Sequence, residues 1–131
     1  MAVQRAIAQR WKHVTGHTIV EGDGLTECSP VVTMNPPDIT EFTGSIGLPM
    51  PSTEVRFMRD DGSIAPVGEP GELQVRGPQV MRGYWQRVKE TARAISTDGW
   101  FSTGERVKVI VVPRGDALTE AALLARTAAP T

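Results

Sequence analysis

The chain has 131 residues, 14 of them Lys or Arg and 15 Asp or Glu, for a formal net charge of −1. That length holds one modest core, and a composition with no clustered basic face argues against a nucleic-acid reader. No apolar run approaches the roughly 18 residues of a membrane span, and a single cysteine, Cys28, excludes an internal disulfide and points to a reducing compartment, the cytoplasm.

The N-terminal stretch MAVQRAIAQRWKH carries Arg5, Arg10 and Lys12 but no hydrophobic signal core, so it reads as a packing helix rather than a targeting segment. Val3, Ile7, Trp11 and Val14 recur every three to four positions. This spacing predicts a helix over 2–15 with one inward apolar stripe, and Gly16 stands where a C-terminal cap belongs. Thr18–Glu21 reads as a short strand that delivers Gly24–Glu27 at its carboxyl end, the place where open α/β sheets hold ligands. Asn35-Pro36-Pro37-Asp38 forces an irregular loop, because consecutive prolines fix φ and lack donors.

From Gly44 to Gly104 the pattern changes to short strands separated by turns. Glu54–Met58 and Gly71–Arg76 are the clearest strands, and Asp60-Asp61-Gly62-Ser63 marks a turn. Residues 87–95 predict a short helix with Val88, Ala92 and Ile95 inward. Val107–Val112 is a strong strand signal, and a helix is expected from about Thr119, with Thr119 as its N-cap. The resulting expectation is an α+β chain with a small antiparallel sheet or distorted barrel in its middle.

Three blocks carry the chemistry: Gly24-Leu25-Thr26-Glu27, then GELQVRGPQVMRGYW at 71–85, then Ser102-Thr103-Gly104. With the intervening TECSPVVTMNPPDITEFTGSIGLPMPSTEVRF, they resemble the AMP-forming acyl-CoA synthetases, most closely the long-chain fatty-acid–CoA ligases. The likeness runs from Met1 to about Gly104. It implies that residues 1–105 are the end of a large adenylate-forming domain. Residues 106–131, with RVKVIVVPRGDALTEAALLA, resemble a strand-helix piece of the small C-terminal lid, joined near Glu105-Arg106 as though an internal segment were missing. Members of the family are several times longer, so the expectation is a fragment or shortened derivative.

The resemblance implies ATP or AMP, Mg2+ and CoA as cofactors, with a nucleotide and a fatty acid as partners. Acyl activation crowds negative charge around a triphosphate, so such a site needs a cation and fixed donors. Thr26 and Glu27 match the catalytic pair that contacts phosphate, and Glu27 matches the metal ligand. Gly24, Leu25 and Thr26 match nucleotide-binding positions. Read from the residues alone, the same Thr-Glu pair caps the loop that follows it. Glu105 stands where the family has the aspartate that binds the ribose hydroxyls. Asp23 replaces the aromatic residue that stacks on adenine, a contact worth roughly 1–3 kcal/mol, and as a loop residue it makes a local turn.

The remaining candidates read as structural. Tyr84 and Trp85 are expected in the core, and Cys28 as a small buried side chain without a basic partner. His13 and His17 lack further metal-type neighbours for a zinc site. Lys12, Lys89 and Lys108 are the only lysines, and none lies in a Ser/Thr/Gly-rich phosphate loop. The family's hinge pair, lid lysine and upstream acyl tunnel also have no counterpart here. Removing one preorganised electrostatic group costs about 10²–10³ in rate, so the expectation is a ligase fragment that is not catalytically complete by itself. The alternatives are a non-catalytic interaction module and one part of a split synthetase. Val107–Val112, cut off from the domain that covers it in the family, would then pair with a second copy or a complementary synthetase chain.

Overall fold

A computed structural model describes residues 3–111 and 122–126. Helix α1 spans Arg5–Thr15, as the period predicts, and ends at Gly16, whose φ of 76° lets its N–H donate to Lys12 O at 2.8 Å. Lys12 and His13 in the last turn suit the negative end of the helix dipole. The expected inward stripe is not inward among the described residues. Ile7, Trp11 and Val14 are all at least half exposed, and only Ala8 is buried. The helix is held by polar contacts instead: Lys12 Nζ donates to Thr40 O at 2.6 Å, and the Arg5 guanidinium lies over the Phe42 ring.

Strand β1 is Gly22–Gly24 rather than Thr18–Glu21. The β-branched residues had the propensity, but strand pairing selected the glycines. β1 pairs antiparallel with β2, Val31–Met34, matching Gly22 to Met34 and Asp23 to Thr33. A Cβ at Gly24 would stand 2.0 Å from Pro30 O, so only a glycine allows the two backbones so close. A 3-10 turn, Thr26–Cys28, lies between the two strands. β3, Ser45–Pro49, pairs with β2 through Thr33 and Met34.

β4, Glu54–Met58, and β5, Pro70–Arg76, pair over five positions, and β5 pairs in turn with β6, Phe101–Val111. β5 alternates strictly, with Gly71, Leu73 and Val75 buried and the residues between them partly exposed. The Asp60–Ser63 turn forms as expected, with Asp61 Oδ1 accepting from both the backbone N–H and the hydroxyl of Ser63. Helix α2 covers Val88–Ala94, but its inward face is Ala94 with Ile95. Val88, expected inward, is 82% exposed, and Ala92 is exposed as well.

Residues 122–126 form β7, antiparallel to β6, where the sequence predicts a helix; its expected cap, Thr119, lies outside the described residues. Backbone pairing from Val107 opposite Arg126 to Val111 opposite Ala122 outweighs the helical preference of Ala and Leu. β6 is therefore flanked by β5 and β7, so of the exposed edge expected at Val107–Val112, the described part, Val107–Val111, is paired. The strand order is β1-β2-β3-β7-β6-β5-β4, all antiparallel and not closed into a barrel. Cys28, Val32, Ile46, Phe57, Leu73, Val75, Phe101 and Val107 form one apolar cluster, so the 3-10 turn between β1 and β2 is anchored in the same core as the β4–β6 ribbon.

Candidate functional site

The site is built on the turn after β1. Leu25 N–H donates to Pro30 O at 2.8 Å and Cys28 N–H to Leu25 O at 2.9 Å, closing a tight loop. Cys28 is fully buried and Leu25 packs partly against the core. With these two pointing inward, Thr26 is exposed and Glu27 half-buried at the surface. Burial, together with the charges of Glu27 and Asp23, pushes the Cys28 thiol up to about 11. A thiol so disfavoured as thiolate is no nucleophile, in agreement with its reading as a small core residue.

Glu27 is gripped from a distant part of the chain. Met81 N–H donates to Glu27 O at 2.7 Å, and the Tyr84 hydroxyl donates to Glu27 Oε1 at 3.1 Å. Both partners belong to the block 71–85. Tyr84 is in turn seated on α2: its N–H donates to Thr91 Oγ1 at 2.9 Å, and the Thr91 hydroxyl donates to Arg87 O. Gly83, at φ 150°, passes so near Thr91 that a Cβ there would lie 2.6 Å from Thr91 Cγ2. The glycine before the tyrosine thus lets the loop close on the helix.

Tyr84 and Trp85 are therefore not core residues. Trp85 is 87% exposed and Tyr84 lies at the surface beside Glu27. Sequence reasoning missed Tyr84, because an aromatic at a Gly-Tyr-Trp turn is indistinguishable from a packing residue until its partner 57 positions away is known. Its single polar atom was the only available signal.

Asp23 sits on β1 opposite Thr33, half-buried. It lines an open groove of about 290 Å³ with Val20, Gly22, Gly24, Pro30, Val31 and Met34. Glu105 lies on β6, separated from β1 in strand order by β2, β3 and β7. Its N–H donates to Thr103 Oγ1 at 3.0 Å, and the Thr103 hydroxyl donates to Leu73 O at 2.8 Å. Gly104 N–H donates to Glu72 Oε1. The Ser-Thr-Gly block is thus a bulged stretch of β6 tied to β5 by side chains, and it brings Glu105 out of the regular ladder.

Among the described residues no group of three His, Cys, Asp or Glu side chains converges as a self-contained metal site. His13 and His17 are both exposed on and just past α1. Glu27 presents a single carboxylate, the type of ligand that nucleotide enzymes complete with phosphate and water oxygens around Mg2+. Its Oε1 is engaged by Tyr84, and Oε2 accepts no hydrogen bond among the described residues.

Comparison with known proteins identifies the family and the fold. The AMP-binding enzyme family matches residues 1–85. A long-chain-fatty-acid–CoA ligase of Yersinia pestis is 56% identical over 105 residues, which are 80% of this chain and 18% of the ligase. One from Bacillus subtilis is 45% identical over 100 residues. The chain therefore spans about a fifth of the length of the curated relatives it matches. Among solved structures, VinN superposes with a TM-score of 0.80 at 31% identity, over 98% of this chain and 31% of VinN. The anthranilate CoA ligase AuaEII, in complex with anthranoyl-AMP, does so with a TM-score of 0.79 at 25% identity, over 96% of this chain and 22% of AuaEII.

Proposed function

We propose that this chain, which belongs to the AMP-binding enzyme family, is the phosphate- and metal-facing part of an ATP-dependent long-chain fatty-acid–CoA ligase. The reaction is attack of a fatty-acid carboxylate on the α-phosphorus of ATP, with loss of pyrophosphate. Attack of the CoA thiol on the acyl-adenylate, with loss of AMP, then gives the thioester. Thr26 would donate its hydroxyl to phosphate, and Glu27 would hold the divalent ion, whose charge would offset that developing on the phosphate oxygens. Gly24 and Leu25 shape the nucleotide-facing backbone, and Glu105 faces the ribose hydroxyls. Residues 1–105 would be large-domain sequence and 106–131 lid sequence. A cytoplasmic location follows from the ATP and CoA substrates and from a lone thiol that requires no oxidising compartment.

The observation that carries this reading is the double grip on Glu27. A glutamate that merely capped a turn would need neither the Met81 N–H nor the Tyr84 hydroxyl. The isolated 131-residue chain holds the metal-facing carboxylate without a phosphate-loop lysine, so it does not adenylate fatty acids alone. Those groups act on charge that exists only in the transition state, and saturating substrate cannot replace them. Pyrophosphate exchange into ATP with a long-chain fatty acid tests the point. The expected rate equals that of a boiled control; exchange above it that is abolished by Glu27→Ala overturns the reading of an incomplete site.

A further inference from the structure

We propose that Tyr84 is a positioning residue for the metal ligand: its hydroxyl, by donating to Glu27 Oε1, holds the carboxylate so that Oε2 is presented to a divalent cation. The inference rests on the proposed metal role of Glu27. It goes beyond that role by assigning a task to a residue that sequence reasoning places in the core.

Three observations converge. The Tyr84 hydroxyl reaches Glu27 Oε1 at 3.1 Å while Met81 N–H holds the Glu27 carbonyl at 2.7 Å, so one loop fixes both the backbone and the side chain of the same residue. The loop is braced by α2 through the Tyr84 N–H and Thr91, which makes the phenol a fixed donor. Glu27 sits on a turn anchored by the fully buried Cys28, so its main chain is fixed and the side-chain rotamer is the remaining freedom. A long glutamate loses much rotamer entropy when it binds a metal; a donor that selects one rotamer beforehand lowers that cost. Groups that orient a ligand in this way typically change metal affinity by about 10–100-fold, and the partly exposed phenol belongs at the lower end.

Tyr84 is the only tyrosine in the chain, so it reports on itself. With tyrosine labelled at the phenolic carbon, the full chain gives one NMR resonance, and at fixed neutral pH Glu27→Gln should shift it, because the hydroxyl loses its carboxylate acceptor. An unmoved resonance means the contact does not form in solution and overturns the inference.

Mn2+ is the metal probe, added with saturating AMP so that phosphate oxygens complete its shell, its binding followed by the paramagnetic resonance of the free ion. Tyr84→Phe should weaken Mn2+ binding about tenfold with an unchanged circular dichroism spectrum, and Glu27→Gln should abolish it. Binding that Glu27→Gln abolishes but Tyr84→Phe leaves intact overturns the positioning role and spares the metal site. Binding that is absent from the wild-type chain, or indifferent to Glu27→Gln, overturns the metal-site reading and the inference together.

Discussion

The β4–β5–β6 ribbon and the β1–turn–β2 loop share one core but are specified in opposite ways. In the ribbon, alternating Gly71, Leu73 and Val75 face inward and long polar side chains cover the other face. There Arg56 and Arg76 lie over the Trp100 ring at 4.3 and 4.7 Å, and Arg76 pairs with Glu54. The loop is built from two glycines, a 3-10 turn and one buried thiol, with Asp23 half-buried on β1 and the Glu27 side chain partly exposed. The ribbon is held by apolar area, which is insensitive to the identity of any one surface residue. The loop is held by close backbone approach and a few directed hydrogen bonds, which fail singly. A site that must present charge to a ligand is built in the second way, because apolar burial cannot orient a carboxylate.

Truncation within the ribbon should have the largest effect. Leu73 is fully buried, and Leu73→Ala is expected to cost about 2–5 kcal/mol in urea unfolding, with loss of the whole sheet. Gly24→Ala tests the contrast. Its Cβ has no room against Pro30 O, so fast amide exchange at Leu25 is expected while the β4–β5 amides keep their protection. Equal loss of protection in both regions would mean that the loop and ribbon are one cooperative unit.

The next effect is on binding. Asp23→Tyr restores an aromatic to the β1 groove and removes a negative charge, and is expected to tighten AMP by about 1–3 kcal/mol in calorimetric titration. Equal affinity of the two forms would show that the groove along β1 does not accept adenine.

The smallest effect is a pH dependence centred on Cys28. Its folded pKa of about 11 lies above that of a free thiol. Between the two values the folded chain holds a proton that the unfolded chain has lost, so stability falls as pH rises through that window. Below the free-thiol pKa this contribution is fully present. Urea midpoints across that window should decline in the wild type and flatten in Cys28→Ala. Cys28 should also resist alkylation at pH 8 unless the chain is unfolded.

How far the sequence was legible follows the same division. Periodicity located α1, β4, β5 and α2, because hydrophobic spacing is a local quantity and these elements obey it. It failed at β1, where Thr18–Val20 had the propensity but Gly22–Gly24 had the only backbone that could approach β2. It failed again at 122–126, where helix-forming residues lie along β6 as a strand. On α2 the period was right and Ile95 packs against the core as expected, but Val88 and Ala92 do not, because they carry no mark of which side meets the sheet.

Three motif blocks in order identify the family and the α+β class without any coordinates. They also mark Thr26 and Glu27 as the residues to watch. What holds Glu27 emerges only from the folded chain. The Tyr84 hydroxyl and Met81 N–H are 57 and 54 positions away along the chain, and no spacing rule spans that distance. The physical reason is that helical and strand periods report which face of an element is apolar, while a directed hydrogen bond between two loops depends on where the whole core has placed them.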